Sequence, residues 1–416
     1  MERVPDLAVP ETRVPKARVP EIRVIETEEF DAFRRVDRRG FQFEPTKDDL
    51  ERPDTWARGE LDRAVGAFLG GEMVGIGRNY SFDLTVPGGT RLPAGAVSWI
   101  SVLPTHRRRG VLTAVMATLA ADSRNRGESV SMLTASESTI YRRFGYGVAT
   151  DRVGASIESS RSRFLPPWSD PGRVRFVDLD EAGKVFPEVY ERTRSRVGSV
   201  ARPEFWWPEV LFAYPHGEAR FMVVHETGGI ADGFAFYGVK GDWVGGISDR
   251  TIEVIDLQGV DDTARLALWR YLLDVDLVAR VTAFNVPLDD PVRFALDDPR
   301  RFRIDFMNDG LYVRVLDVET ALGARRYERD GSLCLSVPGL GDYELVVDGG
   351  LAQCVPTTAR VELEVELEAL GAMFLGARRA SQFVPTGRVR GDAGVIDRAD
   401  AMFATTTELP ATLSYF

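Results

Sequence analysis

Three histidines and two cysteines in 416 residues leave little material for a metal centre. His106, His216 and His225 stand far apart, and neither Cys-x-x-Cys nor His-Glu-x-x-His occurs, which speaks against structural or catalytic zinc. Cys334 and Cys354 allow at most one disulfide and no disulfide framework, so reduced, buried thiols in a cytoplasmic protein are expected. No run of about 18 apolar residues is present, and the N-terminus has no apolar signal core, so neither a membrane span nor a secretion leader is expected. Positive charge is outweighed, with 52 Lys and Arg against 63 Asp and Glu and a formal net charge of -11. That balance argues against a nucleic-acid partner and is compatible with cationic substrates.

What is there suits a globular chain. It is 44% hydrophobic and 28% charged, and its length allows two to four domains of about 100–200 residues. Val-Pro recurs every five residues through residue 20. Each proline forbids helix interior and extends its neighbour, so residues 1–20 read as an extended or disordered arm, or as a short arm lying on a neighbouring subunit.

The stretch from Val97 to Met116 organises the rest. Alternation puts Val97, Trp99, Ser101 and Leu103 on one face of a strand and Ser98, Ile100 and Val102 on the other. Pro104 ends it. Residues 107–110 read Arg-Arg-Arg-Gly, and Val111, Leu112, Val115, Met116 and Leu119 follow at helical spacing. A strand turning through arginines and a glycine into a helix start makes an anion site. The first helical N–H groups lack internal partners, glycine allows close approach, and guanidinium groups add fork-shaped donors. The other reading of these residues alone is a basic turn before a surface helix.

Around this stretch the pattern predicts a strand at 22–25, a helix at 31–39 and a hairpin about Gly70-Gly71. A strand at 79–86 and a turn at Pro87-Gly88-Gly89 come next. A strand at 129–135, a short helical turn at 140–147 and a closing strand at 151–158 follow the central helix. Residues 161–171 hold three prolines and read as a linker. Strands at 174–177, 221–224, 230–238 and 251–257, a helix at 262–275 and a strand at 281–284 then echo the first unit. Gln258-Gly-Val-Asp-Asp262 stands where the first unit has arginines and would repel phosphate, so this is a degenerate second copy. A last unit opens with a strand at 310–315, then a helix at 317–322, strands at 331–337, 341–347 and 359–367, and helices near 368–375 and 397–403. The expected organisation is an arm at 1–20 and units at 21–160, 172–298 and 306–416. The apolar end Pro410-Ala-Thr-Leu-Ser-Tyr-Phe416 is expected to be docked.

The order strand, helix, antiparallel strands, loop, helix, strand resembles a GNAT N-acetyltransferase. Arg107-Arg-Arg-Gly110 is similar to the opening of that family's acetyl-CoA loop, Gln/Arg-x-x-Gly-x-Gly/Ala. Leu112 stands where the signature has its last small residue, leaving one glycine for the pyrophosphate. Ala96-Val-Ser-Trp-Ile-Ser-Val102, Pro104-Thr-His-Arg-Arg-Arg-Gly110, Ala135-Ser-Glu137, Ile140-Tyr-Arg-Arg-Phe-Gly-Tyr-Gly147 and the terminal Phe416 together resemble the Eis (enhanced intracellular survival) family of actinobacterial N-acetyltransferases. The resemblance covers nearly everything after the arm. It implies an α/β fold of two tandem GNAT-like units, the second degenerate, plus a C-terminal sterol-carrier-like unit, assembled as a homohexamer.

It also implies roles. Ile100, Ser101 and Val102 offer a strand edge to the pantetheine arm of acetyl-CoA. The backbone of Arg107, Arg108, Arg109, Gly110, Val111, Leu112 and Thr113 holds the pyrophosphate, and Ser136 lies near the arm. Tyr141 is the general acid toward the CoA thiolate, and the carboxylate of Phe416 is the general base. Phe41, Phe43, Glu44 and Trp99 line the amine site. The implied reaction is direct acetyl transfer to primary amines of aminoglycoside-like or lysine-containing acceptors, with no metal, nucleic acid or membrane involved.

The residues alone leave other meanings open. Tyr141 and Tyr146 suit aromatic packing, Phe41, Phe43, Glu44 and Trp99 suit core and rim, and His106 suits a turn. Glu137 is an alternative base. Arg142 stands where the family commonly has glycine, adding charge beside the reacting groups. Two rival classes remain: a GNAT-fold scaffold that binds acyl-CoA without turnover, and an apolar-ligand carrier working through the last unit. Release of CoA thiol separates both from the enzyme.

Overall fold

The computed structural model describes residues 19–43, 61–212 and 219–416. Most of the Val-Pro arm, Glu44, the charged stretch 48–59 and His216 lie outside the described residues. The chain divides into two compact units. One holds the described residues up to Arg78 together with Trp99–Leu119, and the other holds Asn79–Ser98 and Ala120–Phe416.

In the first unit β1 (Glu21–Val24) lies antiparallel to β2 (Ala64–Leu69). Between them runs α1 (Phe30–Phe41), which buries Phe30, Phe33 and Val36 and ends at left-handed Gln42. β2 turns through Gly70 and Gly71, both at positive φ, into β3 (Glu72–Thr85). The expected pair of short strands at 72–76 and 79–86 is thus one strand. β4 (Arg91–Val102) and α2 (Val111–Asn125) give their Trp99–Val102 and Val111–Leu119 segments to this unit. Two glycines of β3 let α2 sit close. A Cβ on Gly75 would lie 2.5 Å from Val111 Cγ1, and one on Gly77 would lie 2.5 Å from Val115 Cγ1.

The second unit carries three sheets' worth of pairing. β4 is parallel to β5 (Val130–Thr134). β6 (Gly147–Val148) and β7 (Asp151–Glu158) follow. β7, expected to close the first sheet, instead joins the second, whose order is β15-β7-β14-β13-β10-β9-β8. Its other members are β8 (Arg173–Phe176), β9 (Ala219–Thr227), β10 (Ile230–Lys240), β13 (Thr251–Gly259), β14 (Arg280–Val286) and β15 (Phe302–Asp309). A small hairpin, β11 (Trp243–Val244) with β12 (Ile247–Ser248), projects between β10 and β13. β16 (Leu311–Val315), expected to open the last unit, lies between β5 and β6 and is antiparallel to both. Alternation reveals which face of a strand is buried but not which strand is its neighbour.

Helix α3 (Leu179–Thr193) covers one part of the second sheet with Phe186, Val189 and Tyr190, against Trp206, Trp207, Phe234 and Phe236. Asp178 caps it by accepting from the Glu181 N–H at 2.8 Å. Pro187 sits inside this helix and masks it in the sequence pattern, which predicts no element here. α4 (Asp262–Asp274) packs Leu268, Trp269, Leu272 and Leu273 into the other core cluster. A third sheet, β19-β18-β17-β20-β21, runs through β17 (Gly331–Val337), β18 (Gly341–Asp348), β19 (Leu351–Pro356), β20 (Leu363–Val365) and β21 (Val389–Gly391). The strand expected over 359–367 is only the three residues of β20. The helices here are α5 (Val318–Ala324), α6 (Leu367–Met373) and α7 (Ala393–Phe403). Buried Arg325 ties two of their ends together by donating to Phe374 O (2.8 Å) and Phe403 O (2.9 Å). Both cysteines are free thiols. No described helix is long and apolar enough to cross a membrane, and no cluster of three metal-ligating side chains occurs among the described residues.

Candidate active site

The first unit builds a strand edge that runs into a helix start. Trp99 adopts φ 55°, a left-handed conformation unusual for a bulky residue. It breaks the alternation expected along 97–103: Ser101 and Leu103 are buried, while Trp99, Ile100 and Val102 are half-buried. Ser101 Oγ donates to Val36 O on α1 at 3.3 Å, and Leu103 N–H donates to Val74 O at 2.9 Å. The chain then turns through Pro104–His106. Arg108 and Gly110 follow at φ 61° and 77°. A Cβ at Gly110 would meet nothing within 4 Å, so glycine answers the backbone conformation there and leaves its surroundings open.

The first bond of α2 runs from Ala114 N–H to Gly110 O at 3.0 Å. The N–H groups of Val111, Leu112 and Thr113 therefore have no partner inside the helix. No acidic residue lies in the first turn, and Arg107, Arg108 and Arg109 are exposed, without an ion pair among the described residues. An uncapped helix end beside three cations and an open glycine fits a pyrophosphate. The second sheet's counterpart differs. There Asp261 caps α4 by accepting from Ala264 N–H at 2.9 Å, filling that position with a carboxylate. The expectation that this copy rejects phosphate follows from that cap.

Phe41, Phe43 and Trp99, which the resemblance assigns to an amine site, lie in the same unit. Phe41 and Phe43, at the end of α1, are 49% and 46% exposed, so they are rim rather than core. The Trp99 ring lies 5.7 Å from that of Phe33.

In the second unit a one-turn helix, Tyr141–Phe144, follows β5 and is closed by left-handed Gly145. Tyr141 is buried, edge-on to Tyr146 at 6.2 Å and tilted toward Tyr312 at 6.4 Å. Burial above all, then the neighbouring Tyr146 and Glu137, pushes its hydroxyl up to about 12. Tyr146 is a packing residue, sharing a 2.7 Å hydrogen bond with Ser131 Oγ. Tyr312, on the exchanged strand β16, gave no signal in the sequence. Burial and its bond to Asp309 raise it further. Ser136 and Glu137 are exposed on the loop after β5. Arg142 pairs with Glu368 at 3.2 Å, which balances the charge it brings to this turn.

The chain end is docked, as expected. Pro410, Ala411, Thr412 and Ser414 are buried, and the Phe416 ring meets the Phe82 ring edge-on at 5.7 Å.

Two family models described as acetyltransferase (GNAT) domains match residues 21–149 and 198–315, and one described as a sterol carrier protein domain matches 318–411. The chain is 35% identical over 367 residues to N-acetyltransferase Eis of Mycobacterium tuberculosis, covering 84% of this chain and 88% of that one. It is 36% identical over 344 residues to an uncharacterized N-acetyltransferase of Streptomyces avermitilis, covering 80% and 84%. The crystal structure of Eis1 from Mycobacterium abscessus superposes with a TM-score of 0.84 at 34% identity, covering 95% of this chain and all of that one. An Anabaena variabilis GCN5-related N-acetyltransferase reaches a TM-score of 0.83 at 16% identity, which speaks to fold alone. With two GNAT units and a sterol-carrier-like unit, the chain is an acyltransferase that belongs to the Eis family of GNAT N-acetyltransferases.

Proposed function

We propose that the chain transfers acetyl directly from acetyl-CoA to a primary amine of a polycationic acceptor, either aminoglycoside-like or a lysine side chain. The observation that carries this reading is the start of α2: left-handed Gly110, three exposed arginines and no acid in the first turn. The backbone from Arg107 to Thr113 and the arginine side chains take the pyrophosphate. Ile100, Ser101 and Val102 are assigned to the pantetheine arm, and family resemblance assigns Ser136 to it as well. Phe41, Phe43, Glu44 and Trp99 are assigned to the amine pocket.

The acceptor arrives as an ammonium and must lose a proton to attack. The Phe416 carboxylate accepts that proton. An α-carboxylate is a weak base, with a reference pKa of about 3.5, so its advantage is fixed position. The amine nitrogen attacks the thioester carbon, and the Val102 N–H donates to the oxygen as charge develops on it. As the C–S bond breaks, Tyr141 gives its proton to the leaving thiolate and recovers one from the nitrogen becoming the amide. With its hydroxyl pushed up to about 12, Tyr141 holds its proton at neutral pH, so the proton is there to give. A cytoplasmic location, where acetyl-CoA is available, goes with this reading. Family membership supports a homohexamer, which light scattering would register as six copies of 46.2 kDa.

The test is thiol release from acetyl-CoA against a panel of amines that includes an aminoglycoside and lysine. Amine-dependent release is expected. Tight acetyl-CoA binding by calorimetry with no release for any amine would favour the scaffold reading instead.

A further inference from the structure

The second sheet opens between two of its central strands. β13 and β14 run parallel only as far as the pair Val254↔Ala283, and the β10–β13 register shifts at Phe236/Tyr237. Past that point the strands part around a cavity of about 510 Å³, lined in part by Val254, Asp256, Phe284, Asn285 and Trp206. A second acetyl-CoA is not its occupant, because Asp261 caps the helix end a pyrophosphate would need. Leu413 and Tyr415 also line this cavity.

Each residue from 411 to 415 is held by a group of the second GNAT-like segment, residues 172–298. Ala411 N–H donates to Val197 O at 3.0 Å, and Thr412 Oγ1 donates to Gly198 O at 2.7 Å. Asn285 Nδ2, on the parted end of β14, donates to Thr412 O at 2.8 Å. Arg202 Nη2 donates to Leu413 O at 3.0 Å, and its Nε donates to Ser414 Oγ at 2.9 Å. Ser414 Oγ also bonds the Tyr190 hydroxyl at 2.9 Å, and Trp206 Nε1 donates to Tyr415 O at 2.8 Å. Only one of these bonds is backbone to backbone, so the tail is recognised by side chains rather than added as a strand.

Arg202 is the centre of the arrangement. Its side chain is 1% exposed and pairs with Asp256, on the parted end of β13, at 2.5 Å. Gln258 Nε2 donates to the other Asp256 oxygen at 2.7 Å. The guanidinium lies 3.8 Å from the Tyr190 ring centre and 4.2 Å from that of Trp206. Burying an ion pair is costly unless its donors are used, and here Nη1 serves Asp256 while Nε and Nη2 both serve the tail.

We infer that the degenerate second unit has become the receptor for the chain's own C-terminal segment, with the Arg202–Asp256 pair as the clamp that fixes where Phe416 ends. Arg202, Asp256, Asn285 and Trp206 are positioning residues. The consequence for turnover rests on the reading of Phe416 as base, whereas the clamp itself does not.

The test is digestion of the full-length protein with a carboxypeptidase, following loss of Phe416 by intact mass, alongside kcat and KM for acetyl-CoA. Arg202→Gln is expected to speed that loss at least tenfold and to lower kcat at least tenfold, with KM unchanged. The Asn285→Ala/Ser414→Ala double variant, which keeps the buried pair, is expected to fall between, and it carries the test if Arg202→Gln does not fold. Arg173→Ala, at a distant strand edge, serves as the control. Loss of Phe416 at the unaltered rate in either folded variant overturns the clamp. Faster loss with unchanged kcat upholds the clamp and removes the terminal carboxylate from the mechanism.

Discussion

At the scale of single residues, burial decides what each titrating group does. Tyr141 has a folded-state value raised to about 12, so its neutral form is favoured at every pH below that. An alkaline limb in the rate profile below about pH 10 therefore does not come from Tyr141. Tyr141→Phe is expected to lower kcat about 10²–10⁴-fold, the range for a lost general acid, with acetyl-CoA affinity kept. A loss of affinity equal to the loss of rate would make the ring structural. His225 illustrates the opposite charge. Burial alone would lower it, but the hydrogen bonds accepted from its ring by Asp170 (2.9 Å) and Asp232 (2.5 Å) outweigh that and raise it. Its contribution to stability is then full below the unfolded value near 6.5 and is lost as pH rises through the raised folded value. Unfolding by urea at pH 6 and pH 9 should show a stability loss toward alkaline pH that is reduced in His225→Gln.

At the scale of elements, the strand–loop–helix was legible because its signals are local: proline at the stop, glycine at the left-handed corner, apolar spacing after it. What was not legible depends on distant atoms. The left-handed turn at Trp99 is imposed within the strand and has no composition cue. The close seating of α2 depends on Gly75 and Gly77, which read as ordinary strand positions until the helix above them is seen. Arg202 shares a short stretch with Phe205, Trp206 and Trp207, an aromatic cluster that suits a buried cation, yet its partner Asp256 lies far along the chain. If the three arginines serve the anion loop, Arg107→Gln with Arg108→Gln should raise KM for acetyl-CoA about tenfold with kcat little changed. The difference should shrink as salt rises, since exposed charges are screened. A KM indifferent to both changes would return this loop to a basic turn before a helix.

At the scale of the whole molecule, the exchange of β7 and β16 matters more than any boundary drawn between units. β7 precedes the linker yet pairs with β14 and β15, and β16 follows the second sheet yet completes the edge of β5. A fragment ending near residue 150 would therefore expose β5 along its length, where Leu133, Met132 and Val130 are now buried. An unpaired apolar strand edge is a site of aggregation. The fragment 1–150 is accordingly expected to be insoluble or molten, with poor dispersion in its amide proton spectrum. The full chain should lose its first two sheets in one calorimetric transition rather than two, because each sheet contains a strand delivered by the other's segment of chain. A well-folded 1–150 fragment, or separate transitions for the two sheets, would show that the exchanged strands are accessory. The same interlock bears on function: β16 carries Tyr312 against Tyr141, so the proposed acid is seated partly by a strand from beyond the second sheet.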